Sequence, residues 1–254
     1  MPLLPEYNLS GKVAILATTG GDQAPHLALA LSEAGASVFT VARRQPYLTD
    51  VLQALQASSF ANRGGVVADL ATQAGTALAM EAFDHHDSPV DILVNDAQSM
   101  FAKPFDEITL EEWEEVQSRN LKGTFLITQA VGRRMVERQY GRIVNLISGL
   151  AERGMINTSA FSASQAGILS LTRSLAVEWG RNNIRVNALG TGWFTAEDIP
   201  VEVQQEELLV RYTPLRRKGH PRDIVPLLVY LCCEACDYTT GQAVYVDGGL
   251  NSHP

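Results

Sequence analysis

The sequence predicts an α/β fold: one domain built on a doubly wound sheet of about seven parallel strands flanked by helices. Three observations predict it. Short β-branched runs alternate with longer helical patterns along the whole chain, the order that gives parallel sheets. The strand runs are apolar almost throughout, as in a sheet covered on both faces. The 254 residues, 46% hydrophobic and 19% charged, suit a soluble domain with a large core.

The strands are read in order as Lys12 to Ala17, Ser37 to Ala42, Gly65 to Ala68, Asp91 to Asn95, Arg142 to Ile147, Ile184 to Leu189 and Ala243 to Val246. Helical spacing fills the gaps: Ala24 to Gly35, Leu70 to His86, Glu111 to Gln139, Ser159 to Gly180 and Pro221 to Ala235. This alternation is Rossmann-like. No repeat or linker divides residues 1–254, so they read as a single domain. The segment 191–213 is the least regular. It follows a strand's carboxyl end, where ligands bind in such sheets, and reads as a substrate lid.

Bulk properties exclude several function classes. A net charge of -8 argues against nucleic acid, which needs clustered Lys and Arg. No apolar run approaches the length of a membrane span, and the N-terminus lacks the pattern of a secretory signal. Cys232, Cys233 and Cys236 lie in an apolar helical stretch without a second ligand pair, so they read as core thiols, not a metal site. A cytoplasmic location is expected.

A series of motifs in order carries a family resemblance: "LSGKVAIL", "DILVN", "RNLKGTF", "GRIVNLIS", "LTRSLAVEWGRNNIRVNALGTGW" and "TGQAVYVDGGL". Over nearly its whole length the chain resembles the short-chain dehydrogenase/reductase family. The resemblance implies an NAD(P) phosphate loop of pattern TGxxxGxG and a catalytic Asn, Ser, Tyr and Lys. Ungapped spacing places the loop glycines on Thr18, Asp22 and Ala24, while Gly20 and Gly21 fall elsewhere. A carboxylate about 4 Å from a phosphate would cost roughly 1 kcal/mol in water and about 4 kcal/mol at intermediate dielectric. Asp22 therefore reads as an N-cap in a loop that needs no phosphate. Ala42, Arg43 and Arg44 follow the second strand in the manner of family members that prefer NADP. Arg43, Asp69 and Asn95 read as remnants of a cofactor site, with Asp69 kept as a helix N-cap. Gln98 stands where the family has a glycine, and Thr191 where it has a proline.

Asn120 and Ser148 match the family's asparagine and serine, but Phe161 and Gln165 replace its tyrosine and lysine. Losing a positioned acid–base group costs about 10²–10⁴-fold in rate. Asn120 and Ser148 are expected to be structural. Together these departures lead to an expectation of a degenerate, catalytically inactive family member. It would bind no cofactor itself and hold no metal. It would assemble, in a hetero-oligomer such as a tetramer, with an active NAD(P)-dependent paralogue. Here the chain looks like the silent subunit of a two-component hydroxyacyl-CoA dehydrogenase of the benzylsuccinate-pathway type. Two alternatives stand beside this reading: a family-derived enzyme of non-redox chemistry, lyase or dehalogenase-like, and an atypical NADP-dependent reductase.

Overall fold

The computed structural model describes residues 5–56 and 62–252. Seven parallel strands form one sheet: β1 (Val13–Thr18), β2 (Ser37–Ala42), β3 (Asn62–Val67), β4 (Ile92–Asp96), β5 (Gly141–Ser148), β6 (Ile184–Thr191) and β7 (Ala243–Val246). Their spatial order is β3-β2-β1-β4-β5-β6-β7. The order reverses between β1 and β4, so a crevice opens there at the carboxyl ends of the strands. Register fixes what faces it. Thr18 pairs with Asp96, Asn95 with Asn145, and Ser148 with Thr191.

Helices cover both faces, which is why the strands carry apolar residues on each. On one side pack α1 (Ala24–Glu33), α2 (Gln45–Gln56) and α9 (Pro221–Cys232). On the other pack α3 (Gln73–Asp84), α5 (Gly123–Arg138) and α6 (Ser159–Trp179). The single-domain Rossmann-like expectation holds. The helix α2 was not legible as one in the sequence reading, although Leu48, Val51 and Leu55 recur at helical spacing and are buried.

The helix expected from Glu111 to Gln139 is in fact interrupted. Helix α4 (Leu110–Gln117) starts from a Thr109 capping box and gives way to a π-helical turn over Ser118–Lys122, after which α5 continues. The turn brings the buried Asn120 toward the strand ends. Beyond β6 the lid candidate holds two short helices, α7 (Val201–Gln204) and α8 (Leu208–Tyr212). All three cysteines are buried and free, and burial pushes each thiol up. Among the described residues no helix is long and apolar enough to cross a membrane.

Candidate active-site cleft

Three cavities adjoin along the carboxyl edge of the sheet. The first lies between Thr18, Arg43, Asp69 and Arg119. The second, of about 220 Å³, runs past Gly20, Gly21, Gln98 and Thr191. The third, of about 80 Å³, holds Ser148 and Phe161 and shares Gln98, Thr191, Gly192 and Trp193 with the second. The first lies beside the second, its lining reaching Thr19 and Ala97 next to Gly20 and Gln98.

At the first end three guanidiniums gather. Arg119 is held below its usual range by burial and by Arg43 and Arg44, with Asp69 opposing. Its Nε is buried without a partner, while its guanidinium pairs with Glu115 on the preceding turn. Ala42, at the end of β2, is wholly buried, and Arg43 follows it at the cavity. Asp69 is not the cap of α3. Thr72 takes that place by accepting from the Gly75 N–H, and Asp69 Oδ1 accepts from the Ala71 N–H in a local turn.

The loop after β1 also differs from expectation. Gly20 and Gly21 have φ of 106° and 121°, a region that favours glycine. A Cβ on Gly20 would strike the Tyr47 ring, and one on Gly21 would meet open space. Asp22 is exposed and is not the helix cap; the cap position is Gln23, with no side-chain cap bond, and Pro25 sits in the first turn. The feared repulsion is therefore that of a solvated carboxylate, not a buried one. Thr18 is buried, donates to Asp96 Oδ2 at 2.8 Å and accepts from the Gly20 N–H at 2.9 Å. Ala24 is the first residue of α1 and is also buried.

At the far end, Asn120 Oδ1 accepts from the Ser99 N–H, and its amide donates to the Ser99 carbonyl and to Ser164 Oγ. It ties the π turn to the segment after β4 and to α6. Ser148 faces the third cavity, and its hydroxyl accepts from the Leu150 N–H at 3.2 Å. Phe161 and Gln165 lie on one face of α6, both buried. Gln165 Oε1 accepts from the Ser148 N–H at 3.0 Å, and Nε2 donates to the Ala97 carbonyl at 3.2 Å. Gln98 and Thr191 lie 3.3 Å apart and bridge the second and third cavities. Asn95 lines the first cavity, and its amide donates to Thr128 on α5 and to Asn145 on β5.

Sequence reasoning missed Arg119 and Trp193 as lining residues and underrated Asp96. Arg119 had a signal, since it precedes Asn120 in "SRNLKG" and the break in the helix turns both toward the strand ends. Trp193 had only its place after β6. Among the described residues no group of three or more His, Cys, Asp or Glu could hold a metal.

The fold and crevice define a class: a doubly wound protein with a cleft at its switch point, where such folds bind ligands. The model of a family described as enoyl-(acyl carrier protein) reductase (adh_short_C2) matches residues 24–251. The chain belongs to this family of short-chain dehydrogenases/reductases. It is 35% identical over 175 residues to 5-keto-D-gluconate 5-reductase of Escherichia coli (strain K12), covering 68% of this chain and 69% of that one. It is 30% identical to gluconate 5-dehydrogenase of Gluconobacter oxydans, over 96% of each chain. The crystal structure of a gluconate 5-dehydrogenase from Burkholderia cenocepacia, in complex with NADP and tartrate, superposes with a TM-score of 0.88. It is 28% identical and covers 98% of both chains.

These findings correct the expectation of an inactive subunit that binds no cofactor. The relatives are named as oxidoreductases, and one holds NADP in the same fold. The physical reason for the error is that motif positions were read as side chains facing a ligand. In the structure Asp22 is exposed at the rim of the second cavity and stays solvated, and Gly20 and Gly21, between the positions where the pattern sought glycine, supply the backbone freedom. The comparisons carry the family and not a two-component assembly.

Proposed function

We propose that the chain binds NADP(H) in its own cleft and is an oxidoreductase acting on the hydroxyl or carbonyl of a small hydroxylated acid, of the sugar-acid class. One observation carries the reading: a cleft lined by Arg43 and Arg119 at one end, with Arg44 close to them, also holds Ser148 at the other. The names of the relatives support the substrate class, and the NADP in the Burkholderia structure supports the cofactor.

The residues fit the cofactor. Arg43, Arg44 and Arg119 would hold the 2'-phosphate, and Asp69 would face the adenosine. The loop at Gly20 and Gly21 would let the pyrophosphate approach the start of α1, where the positive end of the helix dipole favours anions. When bound, NADP(H) supplies or accepts the hydride. Gln98 and Thr191 present an amide and a hydroxyl where the cavities meet. The Ser148 hydroxyl can donate to a substrate oxygen in the third cavity, and the Phe161 ring walls that cavity and excludes water from one side. Neither Phe161 nor Gln165 can exchange a proton. The substrate proton therefore passes to and from solvent by way of Ser148, and turnover is slower by about 10²–10⁴-fold than a positioned phenol would allow.

The test is consumption of NADPH, followed by its absorbance, with a panel of keto-sugar acids. Slow turnover that Ser148→Ala abolishes is expected. If enzyme saturated with NADPH consumes none with any keto acid, and enzyme saturated with NADP+ forms no NADPH with any hydroxy acid, the oxidoreductase reading is wrong.

A further inference from the structure

The carboxylate of Asp96 is wholly buried at the end of β4, directly under the phosphate loop. Its polar partners come from the loop and the start of α1. Oδ2 accepts from the Thr18 hydroxyl at 2.8 Å, and Oδ1 accepts from the Gln23 amide at 2.7 Å. Its backbone carbonyl accepts from the Thr19 N–H and hydroxyl. The Gly20 N–H in turn donates to Thr18 Oγ1. A chain of hydrogen bonds thus runs from the glycine that shapes the loop to a buried acid.

We propose that Asp96 is a positioning residue for the cofactor: it takes up a proton with NADP(H), accepts from Thr18 as before and donates to the Gln23 amide oxygen once that amide turns over, and so keeps hold of the phosphate loop. The inference rests on the reading of the cleft as an NADP(H) site. A pyrophosphate over the loop would place its negative charge close to a second, unpaired one in a site of low dielectric, and protonation removes that conflict. Burial pushes the Asp96 carboxyl up to about 6 even without a ligand, with the Thr18 and Gln23 hydrogen bonds opposing. The charged and titratable groups around it are Asp22 before α1, His26 on α1, Arg43 and Arg44 after β2, Asp69 after β3 and Arg119 on the π turn. None contributes to that shift. On the β5 side the neighbouring strand end carries Asn145 and Leu146, which do not titrate.

Asp96→Asn is the discriminating variant. It keeps the shape and an acceptor for Thr18, and Gln23 can turn its amide to suit. NADPH binding is measured from pH 5.5 to 8 by calorimetry in two buffers of different ionisation heat. The 2'-phosphate itself titrates near pH 6, at about the value of any phosphate monoester; it does so equally in both proteins, so the difference between them reports Asp96. Up to one more proton is expected to enter with NADPH in the wild type than in Asp96→Asn. The ratio of wild-type to variant Kd should rise by up to about tenfold per pH unit above pH 6. Equal proton uptake and parallel pH profiles, with NADPH bound by both, would overturn the role of Asp96 and leave the cleft assignment standing. Absence of NADPH binding by the wild type at every pH would overturn both.

Discussion

Gln165 joins two strand ends through one amide, accepting from the Ser148 N–H and donating to the Ala97 carbonyl. Its replacement by alanine would leave both backbone groups unpaired in a buried site, a loss of about 1–3 kcal/mol measurable by denaturant unfolding. Gln165→Lys alone should also destabilise, because it buries an ammonium beside Phe161. With Phe161→Tyr added, the phenol restores a proton donor at the third cavity. The double variant should then turn over about 10²-fold faster or more than wild type in the NADPH assay. No gain in an enzyme that binds NADPH would show that Ser148 and solvent do not limit the reaction. Asp96 gives a second expectation at this scale. The fold prefers its protonated form, so its contribution to stability is fully present below pH 3.8 and is lost as pH rises through about 6. Above that pH Asp96→Asn should melt later than wild type, by the equivalent of about 1–3 kcal/mol. The identities of Ser148, Asn120, Phe161 and Gln165 were plain in the sequence. Their roles were not, because which way Asp22 turns and what Gln165 bonds depend on the paths of loops and strands that no local pattern states.

Among the elements, the seven strands and the longest helices follow from periodicity, since each must present apolar side chains to a covered sheet. Strand ends shifted by a few residues, most at β3, where Asn62 pairs with Val38 and Gly65 with Thr40 across a register shift. The interruption between α4 and α5 was hidden because its residues continue a helical pattern; only backbone hydrogen bonding shows the π turn. That turn matters, since it aims Asn120 at Ser99 and brings Arg119 to the first cavity. Helices α5 and α6 approach closely at Gly132, where an added Cβ would strike the Trp179 ring. Gly132→Ala should therefore destabilise by about 1–3 kcal/mol despite alanine's better helix propensity, as chemical denaturation would reveal. Unchanged or raised stability would mean that Trp179 moves aside without loss.

For the whole molecule, the switch point between β1 and β4 decides where chemistry can occur. The cleft there begins at a cluster of arginines and ends at a serine, and the same edge carries Thr18, Asp96, Ser148 and Thr191 in register. The fold class was legible because alternation and motif order run the length of the chain. The cleft's competence was not, because it depends on distant segments meeting: Arg43 after β2 with Arg119 after α4, and Gln98 after β4 with Thr191 at the end of β6. The central claim is that this chain binds NADP(H) itself, and equilibrium titration with NADPH and NADH tests it most directly. One NADPH per chain at micromolar to sub-millimolar Kd is expected. Arg43→Ala should weaken NADPH at least about tenfold and leave NADH unchanged, as loss of a charge-assisted phosphate contact requires. Failure to bind NADPH at millimolar concentration, or equal loss of both cofactors in Arg43→Ala, would contradict it.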